Sequence, residues 1–155
     1  MWPKPFLMNL KASVTTVIHS PIDQVWEALV DPKDIAQYMM GVNVTTDWKE
    51  GSAIQWKGNW QGKDIEEQGR VLSVREPELL KYSHRSNGAT GDPEEHIITI
   101  ELQEAAGVTH LRLTQDNNAS EEACAQAEKN WTLMLDGLKT MLGEAPMPKP
   151  EEARV

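Results

Sequence analysis

Apolar residues along the chain recur with two different periods, and the first is the period of two that is typical of β-strands. Residues 11–19, KASVTTVIH, are rich in β-branched side chains and place Val14, Thr16 and Ile18 on one parity. The same alternation recurs after residue 42, in segments that turn residues separate from one another. It predicts strands at residues 11–19, 42–48, 53–60, 64–74, 79–86, 96–103 and 108–116.

One parity of these segments is apolar and the other is mostly charged or polar, which predicts an antiparallel sheet with one dry face. The side chains expected on the dry face include Ile54, Trp56, Trp60, Ile65, Glu67, Gly69, Val71, Leu80, Tyr82, His84, Ile98, Ile100, Leu102, Leu111 and Leu113. Such a face needs a second layer to cover it.

The second period, of three and four residues, predicts a long amphipathic helix over residues 121–142. Asn118 or Ser120 is expected to cap its start, and Gly143 to mark its end. Its apolar stripe consists of Ala127, Trp131, Met134, Leu135, Leu138, Met141 and Leu142. We expect this stripe to cover the dry face of the sheet.

Two helix starts lie close together in the segment SPIDQVWEALVDPKD. Ser20-Pro21 and Asp31-Pro32 each combine a capping residue with a proline at the first helical position. The second proline also ends the first helix, because the residue before a proline is disfavoured in helical geometry. We therefore expect two short helices, which carry Val25, Trp26, Leu29, Ile35, Tyr38 and Met39 and form the lip of a cavity.

The order of these elements predicts an α+β fold in which a curved antiparallel β-sheet wraps around a long C-terminal α-helix. The two short helices lie between strands 1 and 2 of this fold. Residues 1–144 are expected to form a single domain, which is an ordinary size for one. Residues 145–155 are rich in proline and charge and are expected to be a flexible tail.

Composition restricts the partners. The chain of 155 residues has 15 Lys and Arg against 24 Asp and Glu, a net charge of −9, which disfavours nucleic acid and anionic lipid. The segment MWPKPFLMNLK lacks an apolar run long enough for a signal peptide or a membrane span, so we expect a cytoplasmic protein without membrane insertion. The single cysteine, Cys124, excludes an internal disulfide.

Four motifs between Lys11 and Gly143 carry a family resemblance: SPIDQVWEALVDP, TDWKEGSAIQWKG, GRVLSVREPELLKY and NWTLMLDGLKTML. In this order they resemble the START-like superfamily, also called SRPBCC or helix-grip, and within it the homologues of the heat-shock-protein-90 ATPase activator. The resemblance implies the helix-grip fold. It also implies several functions, since relatives bind lipids, sterols or hormones, cyclise polyketide chains, or help to stimulate a heat-shock ATPase.

Inward-facing aromatic residues suggest that the space between the sheet and the C-terminal helix binds a small, mostly apolar molecule. The candidate ligand-binding residues are Trp26, Tyr38, Met39, Trp56, Trp60, Glu67, Tyr82, His84, Trp131 and Leu135. Trp56, Trp60 and Tyr38 are expected nearest the mouth. The alternative is that these side chains pack into a solid core.

Three polar residues on the inward parity, Glu67, His84 and His96, are weak candidates for acid–base catalysis, as in a cyclase or aromatase. Their spacing lacks the close pairs typical of metal sites, so neither a metal nor another cofactor is expected. A co-chaperone-like interaction with a heat-shock ATPase is a further alternative. A protein partner or a homodimer also stays open.

Overall fold

The computed structural model describes residues 10–60, 62–85 and 95–143, with only the backbone of Trp60. In this part of the chain the strands are β1 (Leu10–Ile18), β2 (Asn43–Thr45), β3 (Ala53–Trp60), β4 (Lys63–Arg75), β5 (Leu79–Arg85), β6 (Glu95–Ala105) and β7 (Val108–Asn118). The helices are α1 (Ile22–Val30), α2 (Pro32–Tyr38) and α3 (Glu121–Met141). The predicted tail, 145–155, lies outside the described residues, and the domain boundary at residue 144 stays a prediction.

The described strands form one antiparallel sheet in the order β1-β7-β6-β5-β4-β3-β2. Strands β1 and β2 therefore lie at opposite edges, and α1 and α2 carry the chain from one edge to the other. Helix α3 packs on the sheet near β1 and β7. This arrangement confirms the predicted α+β helix-grip fold, with a curved antiparallel sheet around a long C-terminal helix and two short helices between the first two strands.

The parity predicted for the strands is confirmed, with one local change in β4, except at Trp60, whose side chain lies outside the described residues. Ile54, Val71 and Leu80 are each 1% exposed and belong to the core. A β-bulge between Val71 and Ser73 then shifts the inward parity by one residue, so that Val74, and not Ser73, packs against the core. A strict alternation cannot anticipate this shift, because the bulge inserts one extra residue.

Two of the predicted helix caps are present. The Asp31 side chain accepts a hydrogen bond from the Lys33 N–H at 2.8 Å, and the Ser120 hydroxyl oxygen accepts one from Ala123 N–H at 3.0 Å. The predicted cap at Ser20 is wrong. Pro21 is itself the N-cap, with an extended backbone, so the helix begins one residue later and Ser20 lies too early to cap it.

Helix α3 is held over the β1 edge of the sheet by polar contacts along its length. The Glu128 carboxylate accepts a hydrogen bond from Ser13 N–H at 3.0 Å, and Lys139 Nζ donates one to Thr16 Oγ1 at 3.2 Å. Gly137 allows the backbone of α2 to come close, since a Cβ atom there would lie 3.3 Å from the Tyr38 carbonyl oxygen. The helix is thus fixed over β1, at one edge of the sheet.

Gly69 in β4 is predicted to be indispensable for the sheet. A Cβ atom at this position would collide with the Ser83 carbonyl oxygen and lie 3.1 Å from Trp56 Cη2. Replacement by alanine should therefore lower the free energy of unfolding by about 2 kcal/mol or more, measured by urea denaturation. The neighbouring exposed substitution Gln68→Ala should change it by less than about 0.5 kcal/mol, and equal effects of both would contradict the prediction.

Candidate functional site

A cavity of about 380 Å³ lies between α3 and the inner face of the sheet. Its lining combines apolar and polar side chains from β3 to β7, from α3 and from the segment after α2. The lining residues are Met39, Val42, Trp56, Ile65, Glu67, Tyr82, His84, His96, Gln115, Asn118, Ala123, Gln126, Ala127, Asn130, Trp131 and Met134.

The size of the side chains on α3 explains why this end of the interior is hollow. The residues that face the sheet from the first half of the helix include Ala123 and Ala127, whose methyl groups fill little space. In the second half Leu135 and Leu138 are only 3% and 0% exposed and fill most of the interior. The cavity therefore ends where alanine gives way to leucine along one helix face.

Aromatic rings form the wall that faces α3. The ring centroids of Trp56 and Tyr82 are 5.6 Å apart, and the Trp56 ring meets His84 edge-on at 5.0 Å. Trp48 packs edge-on against the other side of Tyr82, with centroids 6.2 Å apart. Rigid rings in mutual contact give the cavity a wall that keeps its shape.

A carboxylate and an imidazole meet on this wall. His84 pairs with Gly69 in the ladder between β4 and β5, and Glu67 precedes Gly69 by two residues and so projects from the same face. His84 Nε2 and Glu67 Oε1 are 2.6 Å apart. Their side chains are 25% and 24% exposed, so the pair lies in the cavity within reach of solvent.

Glu67 also affects the pKa of a neighbouring tyrosine. The pKa of Tyr82 is raised well above its ordinary value, mainly because the phenol is buried and further because the Glu67 charge is close. Tyr82 is therefore a neutral hydroxyl in the wall of the cavity.

A chain of side-chain hydrogen bonds holds Trp131 at the helix side of the cavity. The indole Nε1 donates to Gln115 Oε1 at 2.8 Å, and Gln115 Nε2 donates to Asn118 Oδ1 at 2.9 Å. Asn118 in turn donates to the Leu10 carbonyl oxygen at 2.8 Å. The indole is thereby oriented by the edge of the sheet as well as by its own helix. On the adjacent strand, His96 Nδ1 donates to the Asp116 carbonyl oxygen at 2.8 Å.

A second, much smaller cavity of about 20 Å³ lies deeper in the core, and several residues line both cavities. Leu29, Ile35 and Tyr38 of the short helices line only the small one. The Tyr38 hydroxyl donates to the Leu29 carbonyl oxygen at 3.3 Å, and burial raises the pKa of this phenol. No residue of α1 or α2 lines the larger cavity, so the expectation that the two short helices form its lip is wrong. They border the small cavity instead.

The structure places the sequence-predicted residues in four different environments. Tyr38 and Leu135 line the small cavity and not the larger one. Trp26 is 5% exposed in the core and lines neither of the two cavities, because α1 directs it into the packed end. The side chain of Trp60 lies outside the described residues. The larger cavity receives Met39, Trp56, Glu67, Tyr82, His84, His96 and Trp131.

Sequence reasoning missed most of the contribution of α3 to the lining. Ala123, Ala127 and Met134 precede or follow Trp131 at helical spacing, and Gln126 and Asn130 flank the same stripe. The signal was present, because small and polar residues interrupt an otherwise apolar helix face at one end only.

The described residues contain neither a cluster that could hold a metal ion nor a helix that could span a membrane. Within 10–60, 62–85 and 95–143, three or more His, Cys, Asp or Glu side chains do not converge on one point that could hold a metal ion. In the same residues, none of the helices has the length and apolar character needed to cross a membrane.

Comparisons with solved structures identify the class of fold. ChR145 from Cytophaga hutchinsonii, known from a solution structure, is 46% identical with a TM-score of 0.75 over 88% of this chain and 95% of its own. MLL2253 from Mesorhizobium loti is 22% identical, with a TM-score of 0.73 over 89% of this chain and 100% of its own. CalU16 from Micromonospora echinospora is 23% identical, with a TM-score of 0.71 over 94% of this chain and 80% of its own. The last two share the fold of this chain.

The family model described as activator of Hsp90 ATPase homolog 1-like protein matches residues 19–143. The chain therefore belongs to this family, as its four sequence motifs indicated. A comparison with curated proteins gives no significant match.

The bond between Trp131 and Gln115 can be tested with a double-mutant cycle. Trp131→Phe and Gln115→Met each leave a polar partner unpaired, so each should lower the free energy of unfolding. The loss of unfolding free energy in the double variant should be smaller than the sum of the two single losses by about 0.5–1.5 kcal/mol, measured by urea denaturation. Costs that add within about 0.3 kcal/mol would show that the two side chains are not coupled.

Proposed function

We propose that the protein binds a small, mostly apolar molecule in the cavity between α3 and the sheet. The observation that carries this proposal is the size and lining of that cavity. Its volume of about 380 Å³ is near the lower end of the range of about 300–1,000 Å³ that is usual for ligand sites. At about 30 Å³ per molecule, roughly a dozen waters would fill it.

The lining suits an apolar ligand with one or a few polar groups. Trp56, Ile65, Ala127 and Met134 offer apolar surface on opposite sides of the cavity. Displacing water from such surface contributes about 25 cal/mol for each Å² that the ligand covers. The polar groups gather on the sheet around Glu67 and on the helix at Gln126 and Asn130, where they can select the orientation of the ligand.

Rigidity of the walls supports binding further. Trp56 and Tyr82 support each other by ring contact, and Trp131 is oriented by its hydrogen bond to Gln115. A preformed cavity loses little conformational entropy when a ligand enters, so more of the contact energy appears as affinity. Met39 and Met134 are flexible and can adapt to ligands of different shape.

A second candidate is acid–base catalysis on a bound molecule, as in a cyclase or aromatase. The observation in its favour is the pair of Glu67 and His84, 2.6 Å apart at the wall of the cavity. A carboxylate in contact with an imidazole is an arrangement that orients a catalytic base. Whether a reaction follows binding stays a prediction, as does a co-chaperone-like role.

We also propose that the protein acts in the cytoplasm. The free cysteine, Cys124, is compatible with a reducing compartment. A homodimer or a protein partner remains an alternative to a small-molecule role.

Filling the cavity should weaken binding without unfolding the protein. Ala127→Phe projects a ring from α3 into the cavity, whereas Ala125→Phe places the same ring on the exposed face of the helix. Binding is measured by the fluorescence of N-phenyl-1-naphthylamine, a neutral apolar probe that brightens out of water. Ala127→Phe should weaken its affinity about tenfold or more, which corresponds to about 1.4 kcal/mol.

The control variant Ala125→Phe should bind the probe as the wild type does, and circular dichroism should show both variants folded. Equal binding by both folded variants would contradict the proposal, since the probe would then bind elsewhere. Failure of the wild type to bind the probe at all would also contradict the proposal.

A further inference from the structure

The charges that line the cavity define the kind of ligand it accepts, provided that the cavity is a binding site as proposed above. Glu67 carries the formal negative charge of the lining, and the described lining residues include no lysine and no arginine. The other titratable side chains that face the cavity are His84 and His96 on the sheet and the neutral Tyr82. Helix α3 contributes none to the described lining.

The Glu67 carboxylate is available to a ligand. Its Oε1 atom contacts His84 Nε2 at 2.6 Å, and in the described part of the chain Oε2 accepts no hydrogen bond. A carboxylate oxygen has two lone pairs and accepts readily from a hydroxyl or ammonium group. Hydrogen bonds to a charged acceptor are also stronger than those between neutral groups.

The negative charge of Glu67 reaches across the cavity wall. Burial is the main cause of the raised pKa of Tyr82, and the negative charge of Glu67 is the second cause. The electric field of Glu67 therefore already acts on another group in the lining. A ligand carboxylate placed beside Glu67 would experience the same field as repulsion, with no lysine or arginine in the described lining to compensate. The net charge of −9 on the whole chain adds to this repulsion during approach.

We infer that the cavity selects a neutral or cationic ligand that donates a hydrogen bond to Glu67, such as a hydroxylated or amino-substituted ring compound, and rejects carboxylic acids of the same shape. Glu67 is thus the specificity-determining residue of the site. The aromatic wall around Trp56 and Tyr82 contacts the ring of such a ligand, and the alanines of α3 leave room for it.

The test uses three compounds with one ring system and different charge: 2-naphthol, 2-naphthylmethylamine and 2-naphthoate. Each competes with N-phenyl-1-naphthylamine for the wild-type protein at pH 8. The naphthol and the amine should displace the probe at concentrations about tenfold or more below those that the naphthoate requires.

Two variants test whether the discrimination against naphthoate depends on the Glu67 carboxylate. Glu67→Gln should reduce the difference between naphthol and naphthoate to about threefold or less, mainly by improving the affinity for naphthoate. Glu66→Gln removes the same charge from the adjacent residue, whose side chain is 62% exposed and lies 4.0 Å from Lys57 on the outer face. It should leave the difference unchanged, because solvent screens that position.

Several outcomes would overturn the inference while leaving the proposed binding function intact. They are displacement by naphthoate at the same or a lower concentration than naphthol, an unchanged difference in Glu67→Gln, and an equal loss of the difference in Glu66→Gln. Binding of N-phenyl-1-naphthylamine without displacement by any of the three compounds would also overturn it. Failure of that probe itself to bind would instead remove the proposed function, and the inference with it.

Discussion

The change in side-chain size along α3 is the constraint on which the rest of the structure depends. The helix is fixed over β1 by Glu128 and Lys139, which set its distance from that edge of the sheet. At one end leucines fill the gap, and at the other Ala123 and Ala127 do not. The same packing that stabilises the fold therefore also produces the cavity, and the two features share one helix face.

The two ends of the molecule therefore have different roles. The end that holds α1, α2 and the small cavity buries aliphatic and aromatic side chains and stabilises the domain. The open end carries the groups that a stable core avoids, including the partly exposed pair of Glu67 and His84. Because the polar groups lie where solvent reaches them, they keep much of their hydration until a ligand replaces it.

Sequence patterns predicted the fold almost completely, because the alternation of strands and the stripe of α3 are local properties of the chain. The inward parity of Glu67 and His84 was predicted for the same reason. Their contact was not, since it depends on the register between β4 and β5, which no local pattern encodes. The misplacement of Tyr38 has a similar cause: periodicity gives the buried face of α2 but not the end of the sheet on which that helix packs.

The claim that a ligand binds in the cavity between α3 and the sheet is tested most directly by intermolecular nuclear Overhauser effects. With the protein saturated by N-phenyl-1-naphthylamine, the account predicts effects between the probe and the methyl groups of Ala127 and Met134. Val17 and Leu72, which are 37% and 41% exposed, serve as reference methyl-bearing residues outside the cavity. Effects to these two residues alone, with none to Ala127 or Met134, would contradict the account.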